Sequence, residues 1–296
     1  MTGYLERLAA RSAAVGSVMC LGLDPDPAAL PAGFPPTVAG IERFCLLLLE
    51  AGGPYAAAVK PNLAFFEAFG APGIAALERI RAAVPDGLPV VADAKRGDIG
   101  STGTRQAVAL FDVLGADAIT ASPYVGAEGL SAFMDRPDRF VYVLCRTSNP
   151  GSDEFQSLPV SADPVGDAPA ELLHERIARR VATWGPGGTV GLVVGATRPE
   201  EIARVRLIAP GLGFLVPGMG AQGGAVEPVL AHGPATASPA GGRPGRGLLV
   251  NVSRAIARAA LEPAPDGLAD PGERIAEAAR NWSTTLPLPV LSYESS

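Results

Sequence analysis

Short apolar runs alternate along this chain with amphipathic stretches. The apolar runs are SVMCLGLD (17–24), AAAVKP (56–61), LPVVADAK (88–95), ADAITASP (116–123), RFVYVLCRT (139–147), GTVGLVVGAT (188–197), LGFLVPGMG (212–220) and GLLVNVSR (247–254). Each is rich in Val, Ile, Leu or Ala and is flanked by Gly or Pro, the pattern of strands buried on both faces of a parallel sheet. Between them, GIAALERIRAAV (73–84), STGTRQAVALFDVLG (101–115) and ELLHERIARRVATW (171–184) carry helical periodicity. The second of these takes Ser101 or Thr102 as its N-cap and Gly115 as its stop.

Eight strands alternating with helices predict an α/β fold, a (β/α)8 TIM barrel. The open doubly wound sheet also alternates, but it usually has about five or six strands and often carries a GxGxxG after its first strand. Here that strand ends in Asp24-Pro25-Asp26-Pro27. No internal repeat or second domain is apparent, so the chain reads as one domain over residues 1–296, with its core at about 15–260. Two stretches read as long loops: GSDEFQSLPVSADPVGDAPA (151–170), and the Gly/Pro/Ala-rich segment ending in HGPATASPAGGRPGRG (232–247). Residues 281–296 show no helical period and are expected to lie at the periphery.

Composition narrows the function classes. The net charge is −6 and the pI about 5.1, which argues against a nucleic-acid partner. The N-terminus carries Glu6 and no apolar core of a signal peptide. No apolar stretch approaches the ~18 residues of a membrane helix. Three scattered cysteines, Cys20, Cys45 and Cys145, have no metal-type spacing and indicate a reducing compartment. The expectation is a soluble, cytoplasmic protein with no membrane partner.

Of 24 basic residues only two are lysines, Lys60 and Lys95. A coding bias toward Arg explains the scarcity but not the survival of these two. Guanidinium holds its protons above about pH 12 and cannot donate one near neutrality. A position that needs a transferable proton or a compact ammonium must keep Lys.

In a barrel, functional groups gather at the C-terminal ends of the strands. Asp24 closes the first, Lys60 the second, and Asp93 and Lys95 the third. Ser148 follows the fifth, Gln222 the seventh and Arg254 the eighth. Two residues apart on one strand, Asp93 and Lys95 should face the same way. Asp98 lies past the strand end, where a loop can carry it elsewhere. Such charges must pair or neutralise. A purely structural ion-pair network is the bland alternative, but placing one inside an apolar strand is costly.

The segment ADAKRGDIGST (92–102) resembles the DxKxxDIxxT motif of orotidine 5'-phosphate decarboxylases. CLGLDPD, VKPNLAFFEAFG, RTSNPG, PGMGAQGG and VNVSRAI resemble further motifs of the longer-chain branch of that family, over roughly residues 15–260. The resemblance implies decarboxylation of orotidine 5'-phosphate to uridine 5'-phosphate and CO2, in pyrimidine biosynthesis, with no cofactor. It implies that Lys95 protonates C6, that Asp93 sits against the departing carboxylate, and that Lys60 holds the ribose and the network. It further implies a homodimer, in which Asp98, followed by Ile99 and Thr102, reaches the partner's site. Asp24 would bind ribose hydroxyls, Asn62 would join it in the substrate site, and Ser148 would read the pyrimidine edge. Gln222 and Arg254 would grip the phosphate, beside Pro217, Gly218 and Ser253. The motif Asn251-Val252-Ser253-Arg254 leaves the arginine's register open, and Arg243 or Arg246 of the seventh loop is the other choice.

Two rival functions remain: a related sugar-phosphate decarboxylase or aldolase that uses a divalent metal, and a non-catalytic barrel that binds nucleotide phosphates. The second lysine together with Asp98 favours the metal-free enzyme, and no carboxylate–histidine cluster has metal spacing. His174 and His232 read as surface residues, Cys145 as a buried small hydrophobe, and Phe65 and Phe66 as core.

Overall fold

The computed structural model describes residues 2–162, 170–220, 224–261 and 270–289. All eight apolar runs form strands: β1 Met19–Leu23, β2 Ala58–Pro61, β3 Val91–Arg96, β4 Ala118–Ala121, β5 Phe140–Arg146, β6 Val190–Val194, β7 Gly213–Val216 and β8 Leu248–Val252. They are parallel and hydrogen-bonded in the order β2-β1-β8-β7-β6-β5-β4-β3. Bridges Val59–Val90 and Asn62–Asp93 join β2 to β3 and close the ring. The fold is the (β/α)8 barrel that the alternation of runs predicts.

Strand alternation explains the two layers of core. Met19, Leu21 and Leu23 belong to the large apolar layer shared with the helices. Cys20, Ala58, Val91, Ala118, Tyr142, Leu215 and Leu249 form a second cluster inside the barrel. The inward rows continue toward the strand C-termini with period 2. They run Cys20, Gly22, Asp24; Ala58, Lys60, Asn62; Val91, Asp93; Ala118, Thr120; and Leu249, Asn251, Ser253. Polar side chains thus sit at the mouth above an apolar floor. Gly22 is required at its place, because a Cβ there would come within 2.6 Å of the Ser253 Cβ. The helix Tyr4–Val15 plugs the other end, where Tyr4, Leu5 and Leu8 are buried and the Tyr4 hydroxyl meets that of Tyr142 at 3.2 Å.

Several sequence-based expectations need correction. Residues 281–285 finish the helix Pro271–Thr285. Beyond it Leu286 is fully buried, its carbonyl accepts from Val18 N–H, and Leu288 N–H donates to Gly16. The run TTLPLP hides this anchoring, because a capped helix end followed by one buried leucine leaves no period. The seventh loop is two segments rather than one. Pro217–Gly220 lies at the mouth, the helix Val226–His232 follows, and residues 233–247 return at the opposite end, leading into β8. The fifth-strand insertion is partly ordered by a helix, Asp153–Gln156, and by an antiparallel ribbon of Pro159–Val160 with Glu171–Leu172.

The predicted helix after β3 spans Gly100–Ala107 and continues as a π-turn, Val108–Val113. Ile99 occupies its N-cap, so Ser101 and Thr102 lie inside the first turn, while Gly115 ends it at φ +73°. No helix among the described residues is long and apolar enough to cross a membrane.

Candidate active site

Lys60, Asp93 and Lys95 form a continuous chain of ion pairs at the barrel mouth. Lys60 Nζ donates to Asp93 Oδ2 at 2.7 Å, and Lys95 Nζ donates to Asp93 Oδ1 at 2.6 Å. The two lysines differ in setting. The Lys60 side chain is 4% exposed and that of Lys95 52%. Burial alone would loosen the Lys60 proton, but Asp24 and Asp93 outweigh it and hold the ammonium well above its ordinary range. Burial alone would likewise raise Asp93, but Lys60 and Lys95 prevail and keep it well below the usual carboxylate range. Asp93 is therefore an ionised carboxylate between two cations.

Simple alternation does not bring Lys95 there. Between Ala92 and Arg96 the β3 strand takes four steps while β4 takes two, from Ile119 to Ala121, so the ladder bulges. Lys95 absorbs the excess at φ +48°, in the left-handed region that a lysine rarely adopts. Thr120 fills the gap beneath. Its hydroxyl accepts the Lys95 N–H at 3.0 Å and donates to Asp93 Oδ1 at 2.9 Å.

A cavity of about 160 Å3 opens beside this chain. Asp24, Lys60, Asn62, Asp93, Ser148, Pro217, Gly218, Ser253 and Arg254, all expected from the sequence, line it together with Met219 and Asn251. Asp24 Oδ1 and Asn251 Oδ1 are buried acceptors with no donor among the described residues. Buried polar atoms of this kind call for a partner, and here both border a space open to a ligand. A second cavity, of about 400 Å3, shares Asp24, Asn62 and Arg254 with the first and adds Phe44 and Phe65.

Arg254 is exposed at the start of the helix Arg254–Ala257. Its rivals are elsewhere. Arg243 pairs with Glu6 of the N-terminal helix at 3.3 Å, and Arg246 Nε donates to the Ala235 carbonyl at 2.7 Å. Both lie at the end of the barrel opposite the cavity, so of these three arginines Arg254 is the one at the mouth; Arg258 joins it in lining the second cavity. Gly218 turns the seventh-strand loop at φ +99°, while Gln222 lies outside the described residues.

Four expected residues among those described are absent from the lining of this cavity: Lys95, which meets it only through its ion pair with Asp93, and Asp98, Ile99 and Thr102. Asp98 Oδ1 accepts the N–H of Ile99. Ile99 is 59% exposed, and so is Tyr124 on the neighbouring β4 loop, at 96%.

The Ser148 loop is held by a buried cation that sequence reading passed over. Arg146, at the end of β5, is 1% exposed and pairs with Glu201 and with Asp153 at 2.5 and 2.6 Å. His174, expected at the surface, is buried, and its Nδ1 lies 2.8 Å from the Gln156 carbonyl. The short helix of the insertion covers it, which its own helical segment could not reveal. Cys145 is buried, as is Phe66, whereas Phe65 is only partly covered and borders the second cavity. Thr120 and Asn251 were also passed over. Each interrupts an otherwise apolar strand run on the inward row, a signal that was present in the sequence.

Residues 17–267 match the model of the orotidine 5'-phosphate decarboxylase / HUMPS family. The chain belongs to this family. A protein of Herpetosiphon aurantiacus named orotidine 5'-phosphate decarboxylase is 41% identical over 287 residues, covering 97% of each chain. The solved structure of Leishmania donovani OMP decarboxylase is 43% identical with a TM-score of 0.76, covering 96% of this chain and 99% of that one. That of Leishmania donovani UMP synthase is 45% identical with a TM-score of 0.79. The match covers 96% of this chain but 56% of that longer protein.

Proposed function

We propose that this protein decarboxylates orotidine 5'-phosphate to uridine 5'-phosphate and CO2, serving pyrimidine biosynthesis in the cytoplasm. The observation that carries the reading is the Lys60–Asp93–Lys95 chain at the mouth of a barrel of this family.

The bond from C6 to the carboxylate breaks, and its electron pair stays on C6 as CO2 leaves. Lys95 Nζ gives a proton to C6, forming the product, and the amine regains a proton from water. Many decarboxylases place such an electron pair in a cofactor. Here the ammonium stands preorganised beside the developing charge, the kind of stabilisation that is worth most in a site closed to water. Asp93 keeps Lys95 in place and sets a negative charge beside the departing carboxylate. Lys60 balances that charge and holds the ribose.

Asp24 and Asn62 bind the sugar and Ser148 the pyrimidine edge. Arg254 and Gln222 hold the phosphate beside Pro217, Gly218 and Ser253. A phosphate grip at the seventh and eighth strands is common in such barrels, and Arg suits it. Binding energy from the phosphate, remote from C6, can be used to close the site.

The enzyme acts as a homodimer. Asp98, Ile99 and Thr102 miss their own cavity, and Ile99 and Tyr124 expose apolar surface beside them. A partner that covers this surface receives Asp98 and Thr102 into its site. Among the described residues no three His, Cys, Asp or Glu side chains group as a metal site, and the reading assigns no step to a metal. The test is loss of orotidine 5'-phosphate absorbance in buffer containing chelator. Turnover supports the reading; activity that needs Mg2+ restored points to the sugar-phosphate rival, and no turnover in either buffer overturns the reading.

A further inference from the structure

Thr120 is the only polar side chain within β4, and it is 2% exposed. A buried hydroxyl is costly unless it is bonded. A threonine hydroxyl can satisfy this need with backbone close by in sequence. Thr120 instead reaches across to β3 and binds both of its partners there: the backbone N–H of Lys95 and the carboxylate of Asp93.

The direction of both bonds is fixed. The amide of Lys95 can only donate, so the hydroxyl oxygen accepts, and its single hydrogen is left for Asp93. Lys95 is also the residue held at φ +48°, at the bulge where β3 loses register with β4. A left-handed lysine persists only where its surroundings over-determine it. Of these surroundings, the hydroxyl contacts both the strained backbone and the carboxylate that receives the lysine's Nζ.

We propose that Thr120 is a positioning residue for decarboxylation, its hydroxyl holding the Lys95 backbone in the left-handed conformation and clamping the Asp93 carboxylate against it. The proposal rests on the reading of Lys95 as the proton donor. Thr120 lines neither cavity at the mouth. It fixes where the ammonium stands, and it does so from a strand that supplies no other group to the ion-pair chain.

Thr120→Val keeps the shape and branching but removes the hydroxyl, and Thr120→Ser keeps the hydroxyl but removes the methyl. Steady-state turnover of orotidine 5'-phosphate and calorimetric binding of uridine 5'-phosphate are measured on wild type and both variants. The expected result is a kcat loss on the order of 10² for the Val variant, as for removal of one preorganising donor, with KM and product binding within about threefold. The Ser variant should recover kcat to within about threefold of wild type, a split that lost packing would not give. If the Val variant does not fold, Thr120→Ala set against Thr120→Ser isolates the same hydroxyl. A Val or Ala variant as fast as wild type overturns the role of Thr120, and so does a Ser variant as slow as Val or Ala. Wild-type protein that leaves orotidine 5'-phosphate untouched overturns instead the reading beneath it.

Discussion

The Lys95 ammonium reaches Asp93 Oδ1 at 2.6 Å from a left-handed backbone, φ +48°. The contact is local in sequence yet strained in conformation. Strain of this kind costs roughly 1–3 kcal/mol and collects at functional sites. Lys95→Gly should relieve the backbone while removing the ammonium. The predicted outcome is a variant at least as stable as wild type toward thermal unfolding, with decarboxylation abolished. A large fall in melting temperature would show that the Lys95–Asp93 pair contributes more stability than the strain costs.

The pH dependence follows from the two shifted groups. Asp93 is depressed, so its stabilising contribution is present above its unfolded pKa of about 3.9 and is lost as pH falls through the lower folded value. Lys60 is raised, so its contribution is complete below its unfolded pKa of about 10.4 and is lost only as pH rises through the higher folded value. The network should therefore contribute nearly constant stability between about pH 5 and 9. Melting temperatures of wild type and Asp93→Asn, measured across pH, should differ by a constant amount in that window and begin to converge only below about pH 4. A difference that already shrinks near pH 6 would mean that Asp93 is not held low.

Arg254 lines the cavity at the mouth, while Arg243 and Arg246 face the opposite end. Arg254→Ala should weaken binding of orotidine 5'-phosphate by about 1.5–3 kcal/mol, the range for a hydrogen bond to a charged group. Binding of orotidine, which lacks the phosphate, should be nearly unchanged. Equal losses for both ligands would assign Arg254 a structural role.

Subunit complementation tests where Asp98 acts. Asp98→Ala and Lys95→Ala protomers should each be inactive alone and regain activity when mixed, because one site of each hybrid dimer carries both native residues. Absence of recovery after demonstrated subunit exchange would place Asp98 in its own subunit's site.

The barrel was legible in the chain because buried parallel strands leave continuous apolar runs, and each of the eight runs became a strand. The mouth was legible because alternation places Asp24, Lys60 and Asp93 on inward rows above apolar residues, and the two rare lysines both pair with Asp93 there. The bulge at Lys95 was not, since a register shift depends on the partner strand and leaves no trace in composition. Thr120 and Asn251 were visible as polar interruptions, but a single polar residue in a strand does not reveal its partner. Arg146 and His174 were hidden for another reason. Their burial comes from the fifth-strand insertion, which folds back over them through Asp153 and Gln156. The two roles of the segment after β7 escaped detection because Gly- and Pro-rich sequence marks a loop without saying at which end of the barrel it lies.

Proton donation by Lys95 is the central claim, and Lys95→Arg tests it most directly. The substitution keeps the positive charge and removes a proton that can be given up near neutral pH. It also sets a wide planar fork where a compact ammonium stands. A general acid contributes about 10²–10⁴-fold, and the lost electrostatic fit adds to this. The account predicts that kcat for orotidine 5'-phosphate falls by about 10⁴-fold or more, while uridine 5'-phosphate binding, carried by other strands, falls far less. A Lys95→Arg enzyme that retains kcat within about tenfold of wild type would contradict the account and turn attention to Lys60 as the acid.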